Sequence, residues 1–163
     1  VVVEKFDAFK RRVAQQQRIC GMYVVEGQAV PETMNAGAQL EEFFLGFAAR
    51  CGFCEPDNGN AEWKHAEVFR EEARDRLVSV LLGGGEIGHS RWDVPPEEAA
   101  AIADEFLDLF GGDARFFCDR APERDAQPLG PSGHPRYSDY IFSGGCVAFD
   151  SRLAALVWVF DND

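Results

Sequence analysis

Two closely spaced cysteines raise the first question of chemistry in this chain. Cys51-Gly52-Phe53-Cys54 has the CxxC spacing. That spacing serves redox exchange when it opens a helix, because the helix N-terminus lowers a thiol pKa. Here it closes an apolar helical stripe, and Cys51 continues the stripe. A zinc site would need two more ligands. Only His65 and His89 lie nearby, and their positions fit no compact finger spacing. The pattern predicts ordinary thiols, with no metal, no cofactor and no disulfide. Cys20, Cys118 and Cys146 lie in other apolar segments. Five scattered thiols do not form a disulfide framework, so a reducing, cytoplasmic setting is expected.

Gly83-Gly84-Gly85-Glu86-Ile87-Gly88 matches GxGxxG literally at Gly83, Gly85 and Gly88. A dinucleotide site needs a strand before that run and a helix after it. This run follows a helical pattern and leads toward Pro95-Pro96. It also lacks the Lys-Ser/Thr of a phosphate loop, so it predicts a helix exit. No GxSxG elbow occurs. A Ser–His–Asp or Cys–His set meets in space rather than in sequence. The available histidines are His65, His89 and His134. His65, beside Lys64 on a predicted helix, reads as a solvated position.

Carboxylates offer another possible chemistry. Asp139, Asp150, Asp161 and Asp163 flank the predicted C-terminal strands. Gathered at sheet ends, they would bind a divalent cation or the Arg and Lys side chains of a partner. They also suit the simpler role of polar residues where strands leave a core. Glu97 and Glu98 are the next candidates, although acidic residues after Pro95-Pro96 also complement a helix dipole.

The chain carries 28 acidic and 16 basic residues, a formal charge of −12. Such a surface repels phosphate backbones and anionic lipids, so neither nucleic acid nor membrane is the expected partner. A basic protein partner fits better. Apolar residues make up 46% of the chain and aromatic residues 12%, which argues for a packed core rather than disorder. The 14 phenylalanines recur mostly at helix or strand spacings, so they predict core positions. The 163 residues suit one domain spanning 1–163. No apolar run reaches the roughly 20 residues of a membrane helix, and residues 1–20 contain no secretory apolar region.

The elements that would position these groups follow from periodicity. In Ser143–Asp163 two apolar segments, Cys146–Phe149 and Leu153–Phe160, flank a polar break at Asp150-Ser151-Arg152. An unbroken apolar strand buries both faces. The stretch predicts a hairpin whose last strand lies inside a sheet, with Trp158 buried. Upstream, helices are predicted over Val1–Cys20, Ala38–Cys51, Ala61–Leu82 and the segment after Pro95-Pro96. The third carries Trp63, Ala66, Phe69, Ala73 and Leu77 on its apolar face. The fourth carries Ala99, Ile102, Ala103, Phe106, Leu109 and Phe110. Short strands are expected at Met22–Glu26, Ala114–Cys118 and Tyr140–Phe149, and Asp119–Asp139 reads as a long irregular loop. The fold expected is α+β: about four helices on a small, mainly antiparallel sheet formed largely by the C-terminal third.

These readings favour a non-catalytic, acidic protein-binding module. A bacterial immunity-type inhibitor of a basic toxin or nuclease fits the charge and size, by analogy and without a residue motif. The alternative is a small hydrolase with a pocket under the 119–139 loop, drawing on His134, Tyr137 and Asp139.

Overall fold

The computed structural model describes residues 1–16, 18–20, 22–51, 67–82, 91–92, 94–118 and 142–161. Their order is α1 (Val2–Ala14), β1 (Arg18–Cys20), β2 (Met22–Ala29), a short 3-10 turn (Glu32–Met34), α2 (Gly37–Arg50), β3 (Glu67–Val68), α3 (Arg70–Leu81), β4 (Arg91–Trp92), α4 (Pro96–Leu107), β5 (Arg115–Cys118), β6 (Phe142–Phe149) and β7 (Leu153–Asp161). Five strands form one sheet in the order β2-β7-β6-β5-β3. Every neighbouring pair in it is antiparallel. The fold is α+β, with the strands mostly in the C-terminal part.

Strand β7 has a neighbour on each side and a core on each face. Leu153, Ala155 and Val157 enter one core with α1, α3 and α4. Ala154, Leu156 and Trp158 enter the other, beneath α2. The alternation of strand side chains sends successive residues to opposite faces. The uninterrupted apolar run is therefore what a sheet covered on both sides requires. Trp158 is 1% exposed and faces Gly145 across the ladder. A Cβ at Gly145 would lie 2.1 Å from the Val157 carbonyl oxygen and 3.0 Å from Trp158 Cε3. Glycine there makes room for the backbone and the indole. Gly27 on β2 does the same for Phe6 of α1, whose ring would sit 2.6 Å from an added Cβ.

Helix α4 starts as its sequence implies. Pro95 precedes the first turn in an extended conformation, Pro96 opens the helix, and Glu97 and Glu98 face its positive end. Ala99, Ile102, Ala103 and Phe106 are buried. The helix stops at Leu107, and Leu109 and Phe110 enter the core from the turn that follows.

Two predicted helices are shorter than their periodicity suggested. Helix α1 ends at Ala14 rather than Cys20. Gln16 and Gln17 stand where the stripe of Phe6, Phe9 and Val13 would continue, so extension would bury amides. Residues Arg18–Cys20 instead form β1, antiparallel to β4. The segment read as one helix over Ala61–Leu82 contains strand β3 before α3, and residues 61–66 lie outside the described residues. A helix would have buried Phe69 and exposed Val68. The structure does the reverse: Val68 is 7% exposed and Phe69 is 61% exposed. The β-branched Val68 pairs with Phe116, so β5 supplies the backbone partners that a helical turn would have used. Strand β2 runs on to Ala29, three residues past its predicted end.

Candidate functional site

Asp150 lies at the turn between β6 and β7 and is fully buried. Its Oδ1 accepts from the Arg152 and Leu153 backbone N–H groups at 2.7 and 2.9 Å. Its Oδ2 accepts from the Gly111 N–H and from Arg152 Nη2, both at 2.8 Å. Burial pushes the carboxyl pKa up. The donors from Gly111, Arg152 and Leu153 outweigh that and hold it below the ordinary value. This carboxylate closes the hairpin and ties it to the turn after α4. It is not a solvent-facing group, which corrects its placement among surface carboxylates.

The other carboxylate candidates do not converge on it. Asp161 ends β7, in register with Phe142, whereas Asp150 precedes the start of that strand. The nine residues of β7 span roughly 26 Å at about 3.3 Å per residue, so these two aspartates stand at opposite ends of the sheet. Asp139 and Asp163 lie outside the described residues. Glu97 is exposed in the first turn of α4, and among the described residues no cation pairs with it. Glu98 is bonded to Arg12 Nη2 at 2.7 Å, and Arg12 also pairs with Glu105.

Arginines from α1 and α3 take up carboxylates along the rest of α4. Arg74 grips Asp104 through two nitrogens at 2.6 and 3.0 Å. This pairing, led by the hydrogen bond, holds the Asp104 carboxyl below its usual range. Arg70 reaches Asp108 at 2.6 Å and the Leu107 carbonyl at 2.9 Å. These contacts fasten helices together and are not free for a ligand.

Arg115 forms the most developed polar cluster. It donates to both oxygens of Glu67, each at 2.9 Å, and to Glu41 at 2.7 Å. Its guanidinium also lies over the Phe117 and Phe149 rings, 5.4 and 5.5 Å from their centroids. The Glu67 hydrogen bond raises its pKa against the opposing effect of burial, and Glu41 adds to the rise. One side chain thus joins β3, β5 and α2. Beside it is an open cleft of about 390 Å³ whose walls include Glu67, Phe69, Arg70, Phe110 and Arg115. Its two arginines are already engaged by carboxylates and a carbonyl. They hold the walls rather than offering a nucleophile or base.

A second hollow of about 420 Å³ is lined by Glu26, Gln28, Phe47, Arg50 and Cys51, among others. Cys51 follows the last turn of α2 and is half-buried. Burial first, and Glu26 second, push its thiol up to about 11. A thiol protonated at neutral pH is a poor nucleophile, so the first member of the CxxC run is not activated. Cys54, the glycine run Gly83–Gly88, all three histidines, Tyr137 and the 119–139 loop lie outside the described residues. Among the described residues no three His, Cys, Asp or Glu side chains are grouped to hold a metal ion. No helix of these residues is long and apolar enough to cross a membrane.

Sequence reasoning missed Arg115 and Asp150 as organising groups. The strand pattern ARFFC signalled Arg115 only as an interruption of apolar residues. Asp150 was visible as a turn residue, but its bond to Gly111 joins positions far apart in the chain. Comparison with family models, with curated proteins and with solved structures finds no match.

Proposed function

We propose that this chain is a non-catalytic acidic module that binds a cationic protein, with an immunity-type inhibitor of a basic toxin or nuclease as one form of it. The observation that carries the reading is how the charges are used. Of the 16 basic residues, Arg12, Arg70, Arg74, Arg115 and Arg152 each hold a specific carboxylate within the fold. The −12 excess therefore rests on carboxylates such as Glu32, Glu42, Asp75 and Glu97, which are exposed. A surface of that kind attracts a basic partner from a distance and speeds encounter. Of the carboxylate candidates, the exposed Glu97 serves this reading directly, and Asp139, Asp161 and Asp163 stay in it as proposals. Asp150 serves the hairpin, and Glu98 is shared with Arg12.

The experiment begins with capture of a partner from the source cell on the immobilised chain. Association and dissociation rates are then measured over a salt series. Steering requires that salt slow association more than it speeds release. Glu97→Lys combined with Asp163→Lys should slow association further, with only the small loss of melting temperature that a lysine at the positive end of α4 brings. An association rate indifferent to salt rejects the reading. Turnover of a small substrate, lost on replacing His134, would establish the hydrolase alternative instead.

A further inference from the structure

Cys118 and Cys146 are 28 positions apart in the chain but stand directly opposite each other on β5 and β6. We propose that this pair is an oxidation site that closes to a reversible cross-strand disulfide. In the structure no disulfide joins them; they are 2% and 0% exposed, and both lie in the core that α3 covers.

The ladder geometry carries the inference. The Asp150 N–H donates to the Leu153 carbonyl at 2.9 Å, so the backbone groups of Asp150 face β7. Register between β6 and β7 runs without a break from Phe149 to Phe142. Backbone direction alternates along a strand, so the groups of Ala148 and Cys146 also face β7. Those of Phe149 and Val147 face β5. Cys146 and Cys118 are therefore a non-hydrogen-bonded pair, the kind in which opposed Cα atoms approach to about 4.5 Å and side chains come closest. A disulfide accepts Cα separations of about 4.4–6.8 Å. The two strands need no new register to form it.

The oxidant class is a peroxide, small enough to enter during the local opening that exposes buried positions from time to time. Such opening also admits the water in which a buried thiol ionises, and the product is the same whichever sulfur reacts first. The Cys118 thiolate attacks one peroxide oxygen. The O–O bond breaks, the sulfur becomes a sulfenic acid, and hydroxide leaves and takes up the thiol's proton as water. The Cys146 thiol then attacks the Cys118 sulfur and forms the S–S bond, and the sulfenic oxygen leaves with the Cys146 proton as a second water. Two electrons pass from the two sulfurs to the peroxide. A dithiol reductant reverses the change. In the oxidised chain, residues 119–145 become the interior of a covalent loop anchored on the sheet.

The test treats the native protein with dilute hydrogen peroxide and quenches it. The protein is unfolded in an alkylating agent and digested without reduction, and the linked peptides are mapped by mass. A Cys118–Cys146 peptide, lighter by two hydrogens than its separate halves and released by dithiothreitol, is the expected dominant product. The oxidised protein should also unfold at a higher urea concentration than the reduced one, and lose that gain on reduction. Cys51→Ala should leave both results unchanged. The proposal is overturned if Cys118 and Cys146 are recovered alkylated after peroxide has oxidised other thiols. It is equally overturned if they are recovered as separate sulfinic acids, or if the main cross-link joins Cys20, Cys51 or Cys54.

Discussion

Replacing Asp150 by Asn keeps the shape of the side chain and removes its charge and one acceptor. In the native hairpin each carboxylate oxygen accepts two donors. An amide nitrogen in either place faces two N–H groups. Hydrogen bonds to a charged group contribute about 1.5–3 kcal/mol each, and a buried donor left without an acceptor costs about 1–3 kcal/mol. The Arg152 side chain is 52% exposed, so its guanidinium recovers water and its share is small. The expected loss is about 2–4 kcal/mol, which lowers the melting temperature by about 4–16 °C for a chain of this size. Urea unfolding followed by far-ultraviolet circular dichroism measures it. Asp113→Asn is the control. Among the described residues it accepts one exposed bond, from the Ser151 N–H at 3.3 Å, and it should stay within about 0.5 kcal/mol of the parent.

The pH dependence has a fixed sign. The native Asp150 carboxyl lies below its ordinary value of 3.8. The unfolded chain therefore binds this proton more readily, and the stabilisation is complete above the ordinary value. It is lost as pH falls through the lower native value. The difference in stability between parent and Asp150→Asn should shrink over that acid range. Asp104, which is also depressed, acts alike in both proteins and cancels in the difference. A variant within about 0.5 kcal/mol of the parent at pH 7, or a gap that does not narrow in acid, would refute the assignment.

Other substitutions test the packing and the clusters. Trp158→Ala should cost about 3–5 kcal/mol in urea unfolding, as truncation of a large buried aromatic does; a loss below about 1 kcal/mol would place the indole at the surface. Gly145→Ala should cost about 1–3 kcal/mol by overpacking, because the new methyl meets the Val157 carbonyl; an unchanged urea midpoint would contradict the ladder. Arg115→Lys should cost about 1 kcal/mol, since an ammonium cannot reproduce the planar fork that serves Glu67 and Glu41. Full stability in that variant would mean that the cluster holds nothing together. Native Cys51, with its thiol pushed up to about 11 from 9.0, should react with iodoacetamide at pH 8 far more slowly than a simple thiol, because only the thiolate attacks. Equal rates, measured by peptide mapping, would refute its burial.

How far the sequence was informative depended on the range of the interaction. The apolar run of Leu153–Phe160 identified a strand covered on both faces, because side-chain alternation is a local rule that no distant partner can change. Pro96, Glu97 and Glu98 marked the start of α4 for the same reason, and Ala99, Ile102, Ala103 and Phe106 its buried face. The composition alone determined that the net charge is strongly negative. Other features needed the tertiary structure. A helical stripe through Phe69 was locally sound, but β5 offered Val68 a sheet partner, and pairing across the sheet overrode the period. Asp150 read as a surface carboxylate until the turn after α4 brought Gly111 to it. Cys118 and Cys146 had no spacing that connected them; the register of β5 on β6 sets them face to face. Periodicity reports which residues must leave water. Only the strand order and register decide which of them meet.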